Sequence, residues 1–171
     1  QMMAGGSFGR NLESQIAAQV AVLAKHVERP VQLIWSRPED FMRDAVRPPA
    51  HARMTAAMGR GGRIEGLAVR IAVPATARQQ WRRLQGDSAV DAIVDTSDAH
   101  DPMAIDGAMP PYAIPNLTVD HFPVDLPLPT GLWRGNAHSY TAFFVESFIN
   151  ELAAAAGVEP LSYRMQMLVG Q

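Results

Sequence analysis

The stretch His51-Ala52-Arg53-Met54-Thr55-Ala56-Ala57-Met58-Gly59-Arg60-Gly61-Gly62-Arg63-Ile64-Glu65-Gly66-Leu67-Ala68-Val69-Arg70-Ile71-Ala72-Val73 decides the fold. Ala52, Met54, Ala56 and Met58 lie on one face of an extended chain, with His51, Arg53 and Thr55 on the other. Leu67, Val69, Ile71 and Val73 repeat the same alternation. Between them, Gly59-Arg60-Gly61-Gly62 supplies a turn that tolerates positive φ. A half-buried β-hairpin is the reading.

On the N-terminal side, Ile16, Val20, Leu23, Ala24 and Val27 form a stripe at helical spacing, which predicts a helix from about Asn11 to Val27. Val31, Leu33 and Trp35 alternate with polar neighbours and predict a short strand. Pro38-Glu39-Asp40 then reads as the first turn of a helix through Arg43, with carboxylates at its positive end. Pro48-Pro49 separates this segment from the hairpin.

Beyond the hairpin the pattern fades. The stretch from Ala75 to Pro111 carries Asp87, Asp91, Asp95, Asp98, Asp101 and Asp106, and is expected to be a long surface excursion with some helix. Leu117 and Val119, then Phe122, Val124 and Leu126, predict a strand with a bulge near Pro123. Pro127 to Gly135 is a connection. A helix over Ser139–Ala156 aligns Phe144, Phe148, Leu152 and Ala155; Gly157 stops it, and Pro160 starts a last helix to Leu168. Helices at both ends around central strands imply a single α+β domain, 1–171, with a mixed or antiparallel sheet and helices packed on one face.

At 171 residues one core of useful size can form. A net charge of −2 gives no reason to expect nucleic acid or an anionic membrane. The absence of cysteine excludes disulfides, thiolate metal ligands and iron–sulfur ligation by this chain itself. No apolar run approaches the ~20 residues of a membrane helix. The opening Gln1-Met2-Met3-Ala4 runs straight into glycines, so we expect an internal piece of a longer protein, with any targeting signal elsewhere and the compartment open between bacterial cytoplasm and periplasm.

Two stretches are candidates for ligand contact. Gly5-Gly6-Ser7-Phe8-Gly9-Arg10 is a glycine turn leading towards a helix, where backbone N–H groups can face an anion or oxo group. It is neither a dinucleotide fingerprint nor a P-loop, and spacing alone favours a plain flexible start or, less well, a nucleotide site. Trp133-Arg134-Gly135-Asn136-Ala137 also enters a helix; by spacing alone it is a helix start capped by Asn136, His138 or Ser139. Metal chemistry has no support: His26, His51, His100, His121 and His138 include no i, i+3 or i, i+4 pair, and the aspartates lack calcium-loop order. Glu13 and Glu146 read as exposed helical carboxylates.

The order of these pieces nevertheless resembles a known family. Gly5 to Ser14 is similar to the G-G-G-F-G-R-R-L-E-S segment of isoquinoline 1-oxidoreductase β subunits and related bacterial aldehyde dehydrogenases of the xanthine oxidase type. Arg29 to Asp40 resembles that family's R-P-V-x-L-x-W-S-R-x-E-D. Pro111–Asn116, Phe144–Ile149 and Ala156–Leu161 follow in family order. The resemblance implies part of the molybdenum-cofactor subunit of an oxidoreductase that hydroxylates N-heterocycles or oxidises aldehydes. It further implies molybdopterin cytosine dinucleotide with molybdenum, a glutamate base, and a small partner subunit with two [2Fe–2S] clusters. Phe8 and Gly9 match the F-G pair beside the molybdenum oxygen ligands, and Gly5, Gly6 and Ser7 shape that turn. Arg134, Gly135 and Asn136 match the second cofactor loop, where Asn136 replaces a substrate-stacking phenylalanine. Ser7 stands for a third glycine and Asn11 for an arginine.

The family's catalytic glutamate segment has no counterpart here. The expectation is therefore a domain that folds alone, contains no catalytic residue, and binds no cofactor without the remainder of the large subunit. The alternative is a freestanding, non-catalytic interaction module derived from the same domain; a reading frame continuing to a G-E-x-G segment separates the two.

Overall fold

The computed structural model describes residues 6–86 and 100–168. The hairpin forms as read. Strand β1 (His51–Met58) pairs antiparallel with β2 (Ile64–Val73), with Met54 opposite Val69 and a register shift between Ala57 and Met58. Gly61 and Gly62 take φ of 71° and 75° in the turn, and the Gly59 N–H closes it on the Arg63 carbonyl at 2.8 Å.

The third strand, β3 (Asn116–Pro123), runs parallel to β2, giving the sheet order β1-β2-β3. The sheet is mixed, one of the two forms expected. Leu67, Val69, Ile71 and Val73 are buried on its inner face, joined by half-buried Ala52, Met54, Leu117 and Val119. The fold is α+β.

That face is covered by α4 (His138–Ala156), whose buried residues are Thr141, Val145, Ile149, Leu152 and Ala153. The expected stripe of Phe144, Phe148, Leu152 and Ala155 is thus rotated: Leu152 is buried, but the phenylalanines are only half-buried, Ala155 is exposed, and the β-branched Thr141, Val145 and Ile149 are buried instead. Gly157 ends α4 at φ 69°, and α5 (Pro160–Leu168) turns back against it. Arg164 donates to the Glu146 carboxylate at 2.8 Å and to its carbonyl at 3.0 Å, and the Tyr112 hydroxyl donates to the same carboxylate at 2.9 Å. Tyr163, buried, donates to the Gly62 carbonyl at 2.7 Å, tying α5 to the hairpin turn.

Three expectations need correction. The predicted strand at Val31–Trp35 keeps its alternating exposure but, among the described residues, pairs with no other strand. The first helix does not start at Asn11: a 3-10 turn (Arg10–Leu12) comes first, and α1 runs Gln15–Val27, followed by α2 (Arg37–Arg43). The third strand stops at Pro123, so Val124 and Leu126 lie outside it.

The stretch after β2 is no simple excursion either. It starts with α3 (Thr76–Gln85), and Asp101, Ala104, Ala108 and Pro110 are buried. Asp101 is 4% exposed because backbone N–H groups satisfy both its oxygens: Ala77 at the start of α3 donates at 2.9 Å and Met103 at 3.0 Å. An acidic residue here serves as a remote helix cap rather than as a solvated loop charge. Asp87, Asp91, Asp95 and Asp98 lie outside the described residues.

Candidate functional site

The two candidate loops meet. The Arg134 N–H donates to the Phe8 carbonyl at 2.7 Å, joining stretches from opposite ends of the chain. Gly9, at φ 104°, makes the approach possible: a Cβ there would stand 2.6 Å from the Leu132 carbonyl oxygen and 3.0 Å from the Trp133 Cα. Only glycine fits both the dihedral and the space.

The remaining candidate residues are arranged as follows. Gly5 lies outside the described residues; Gly6 is exposed. The Ser7 carbonyl accepts the Arg10 N–H at 2.9 Å, closing the turn. Phe8 has φ 55° and is 62% exposed, and Asn136 has φ 39°. Left-handed non-glycine residues are strained, and here two of them flank the loop contact. Gly135 (φ 83°) and Arg134 are exposed, and a Cβ on Gly135 would meet nothing within 4 Å. Among the described residues, the Gly9 and Gly135 amides donate to no protein acceptor.

The capping alternative for the second stretch does not hold. The residue at the cap of α4 is Ala137, and no side chain bonds to the free amides there. Ser139 instead donates back to the Asn136 carbonyl at 3.2 Å.

Beneath the loops lies a polar floor. Glu13, whose side chain is 5% exposed, pairs with Arg83 of α3 at 2.6 Å, and Arg83 also donates to the Thr130 carbonyl at 2.8 Å. Gln79 accepts from the Thr130 hydroxyl at 2.7 Å, and buried Gln80 accepts from the Leu132 N–H at 3.3 Å. Glu13 is therefore not the exposed carboxylate expected of it. No local signal marks this, because its partner arrives from a helix that the sequence pattern left undefined. Arg10 pairs with Asp44 at 2.6 Å and lies over the Trp35 ring at 5.7 Å, and the Trp35 indole N–H donates to Gln19 of α1 at 2.9 Å. Tyr140, at the start of α4, donates to the Ala104 carbonyl at 2.6 Å, and burial pushes its hydroxyl well above the ordinary phenol range. It remains a proton donor at any ordinary pH.

Chemically, this site offers exposed, fixed backbone rather than reactive side chains. Among the described residues no group of three or more His, Asp or Glu side chains could hold a metal ion. No single helix among them is long and apolar enough to cross a membrane. Open amides beside glycines suit an anionic or oxo-bearing ligand held by its periphery.

A family model described as the molybdopterin cofactor-binding domain matches residues 1–168. The chain is 25% identical over 166 residues to the nicotinate dehydrogenase large molybdopterin subunit of Eubacterium barkeri, covering 96% of this chain and 36% of that one. It is 27% identical over 167 residues to isoquinoline 1-oxidoreductase subunit beta of Brevundimonas diminuta, covering 97% of this chain and 20% of that one. It is also 27% identical over 172 residues to a membrane-bound aldehyde dehydrogenase (pyrroloquinoline-quinone) of Gluconacetobacter polyoxogenes, covering 98% of this chain and 21% of the relative. The chain thus spans between a fifth and just over a third of these relatives.

Proposed function

The chain belongs to the molybdopterin cofactor-binding domain family, and from that premise we propose that its two apposed loops form one wall of a molybdenum-cofactor site in a longer oxidoreductase subunit. The observation that carries this reading is the 2.7 Å bond from Arg134 to Phe8, which makes one surface of two separate stretches. The residues fit such a group: Gly6, Phe8 and Gly135 are exposed, Gly135 faces open space, and the amides of Gly9 and Gly135 have no protein acceptor among the described residues. Gly5 through Gly9 and Arg134 through Asn136 would contribute backbone contacts, with Gly5 assigned from the motif alone.

The bound cofactor supplies the metal centre for hydroxylating an electron-poor heterocycle or oxidising an aldehyde. This chain's own part is to hold the backbone still and to orient the group. The cytosine dinucleotide form of the cofactor, a [2Fe–2S] small subunit and the rest of the large subunit belong to the same proposal. So does a catalytic glutamate outside these residues. Substrate class stays broad because the relatives' names span nicotinate, isoquinoline and an aldehyde. Asn136, which cannot stack on an aromatic substrate as a phenylalanine would, argues against a ring clamp at that position.

The test is the molybdenum-to-protein ratio of the longer subunit carrying Gly9→Ala. We expect retention to fall by about tenfold or more, since the loop contact cannot form around a Cβ at that position. Undiminished molybdenum would remove these loops from the site.

A further inference from the structure

One short segment, Asp44–Arg47, between α2 and β1, touches both loops with consecutive residues. Asp44 pairs with Arg10, directly after Gly9. Ala45, 2% exposed, accepts the Trp133 indole N–H on its carbonyl at 2.9 Å. Val46 bonds through its backbone in both directions, donating to the Pro129 carbonyl at 2.9 Å and accepting the Gly131 N–H at 3.0 Å. Arg47 donates from Nη2 to the Arg134 carbonyl at 3.2 Å, and from Nη1 to the Asn136 carbonyl at 3.1 Å and the Ser139 hydroxyl at 3.0 Å. The guanidinium therefore spans the two carbonyls that flank Gly135.

We propose that Asp44–Arg47 is a clamp that sets the geometry of the cofactor-facing surface, with Arg47 as its positioning residue; this rests on reading the two loops as part of a cofactor site. Gly135 and Asn136 are held in succession at φ 83° and 39°. Asparagine tolerates that region better than most side chains but less well than glycine, because its Cβ meets the neighbouring carbonyl. Pinning the carbonyls on both sides of Gly135 removes the freedom to relax. A planar fork is the side chain suited to this: its donors point in fixed directions, so two acceptors are held at a set separation, which a lysine ammonium cannot do. The same segment fixes the other loop through Asp44, so both loops share one support. Arg134 itself enters these contacts through its backbone, and its side chain is exposed.

The experiment is residue-resolved hydrogen exchange on the 171-residue chain with Arg47→Ala, Arg47→Lys and Ile149→Val. In R47A we expect the Arg134 and Asn136 amides, bonded to Phe8 and Trp133, to exchange about tenfold faster, with β2 unchanged. R47K should not restore protection fully, since rotatable donors on a single nitrogen do not hold two carbonyls at the separation that the planar fork sets. I149V, which weakens the core remote from the loops, should leave these two amides as they are. Unchanged exchange in R47A, full rescue by lysine, or equal acceleration in I149V would overturn the clamp. Molybdenum content of the longer subunit carrying R47A is the second readout. Accelerated exchange with loss of molybdenum supports the clamp in its positioning role. Accelerated exchange with full molybdenum in R47A but loss of molybdenum in Gly9→Ala overturns that role alone, while full molybdenum in both variants overturns the role and the cofactor-wall reading together.

Discussion

Gly9 carries the densest constraint of any residue in the site. Its φ of 104° and the 2.6 Å approach of the Leu132 oxygen to a built Cβ leave alanine no acceptable place. Gly9→Ala should cost about 1–3 kcal/mol of stability in denaturant titration, the usual range for forcing a side chain into strained backbone. His121 gives a second prediction. Its Nδ1 accepts the Asp101 N–H at 3.1 Å, so that nitrogen is unprotonated, and Nε2 is left to donate to the Val73 carbonyl at 3.0 Å. Burial lowers its pKa, opposed in part by the Val73 bond and the Asp101 charge and aided by His100 and Arg78. A lowered folded-state pKa means that the folded form binds the proton less readily than the unfolded one. The stabilisation is complete above the unfolded value of about 6.5 and is lost as pH falls through the folded value. The urea midpoint should drop between pH 7.5 and 5, and His121→Phe should flatten that drop; an equal drop in the variant would exclude His121 as its source. At this scale the sequence singled out Gly5 to Gly9 and Arg134 to Asn136 as candidates, because they sit in ordered motifs, and the meeting of Phe8 with Arg134 joins the two stretches. Glu13, Asp101 and Arg47 were not legible in it, since each is defined by a partner distant along the chain.

At the scale of elements, legibility followed periodicity. The β1–β2 hairpin and α4 were readable because an alternating or a helical pattern persists for several turns or residue pairs. The parallel placement of β3 was not, since the direction of a strand depends on the crossover that delivers it, which among the described residues includes α3 and the partly buried 101–110 stretch. Val31–Trp35 shows the converse: its alternation is real, but exposure alternates in any extended chain laid on a surface, paired or not. Helix α1 presents a similar contrast. Its stripe is well formed, yet none of its 13 residues is buried, and Val22, Leu23 and Val27 are exposed. Helical stability in proteins comes mainly from packing an apolar face, so α1 should exchange its amides orders of magnitude faster than α4. Equal protection of the two would show that α1 is held by contacts other than these. Helix α5 is expected to behave as part of the core. Tyr163→Phe removes the donor to Gly62 and should cost about 1 kcal/mol, the typical net worth of one hydrogen bond.

For the whole molecule, the decisive feature is that the candidate site is one-sided. Two loops lie next to each other on a polar floor, but Phe8, Arg134 and Gly135 remain exposed, and the contacts they offer are mostly single backbone groups. A cofactor is held when many such contacts surround it and exclude water, since each hydrogen bond exchanged against solvent is worth only about 1 kcal/mol. This chain spans 20–36% of the length of the three relatives compared above, so the other walls of a complete site can lie outside it. The 171-residue protein should therefore fold through its own sheet and α4 but purify without molybdenum. Adding the isolated cofactor should leave its thermal midpoint unmoved, because a ligand raises stability only in proportion to its binding of the folded state. Both readings are direct: metal analysis of the purified chain, and a melting curve with and without the cofactor. Stoichiometric molybdenum, or a midpoint that climbs with cofactor concentration, would mean that these two loops and their clamp hold the group without further walls. The same measurements on the longer subunit should show the metal retained, and there R47A and G9A should release it. That difference would separate one wall of a proposed site from the whole of it.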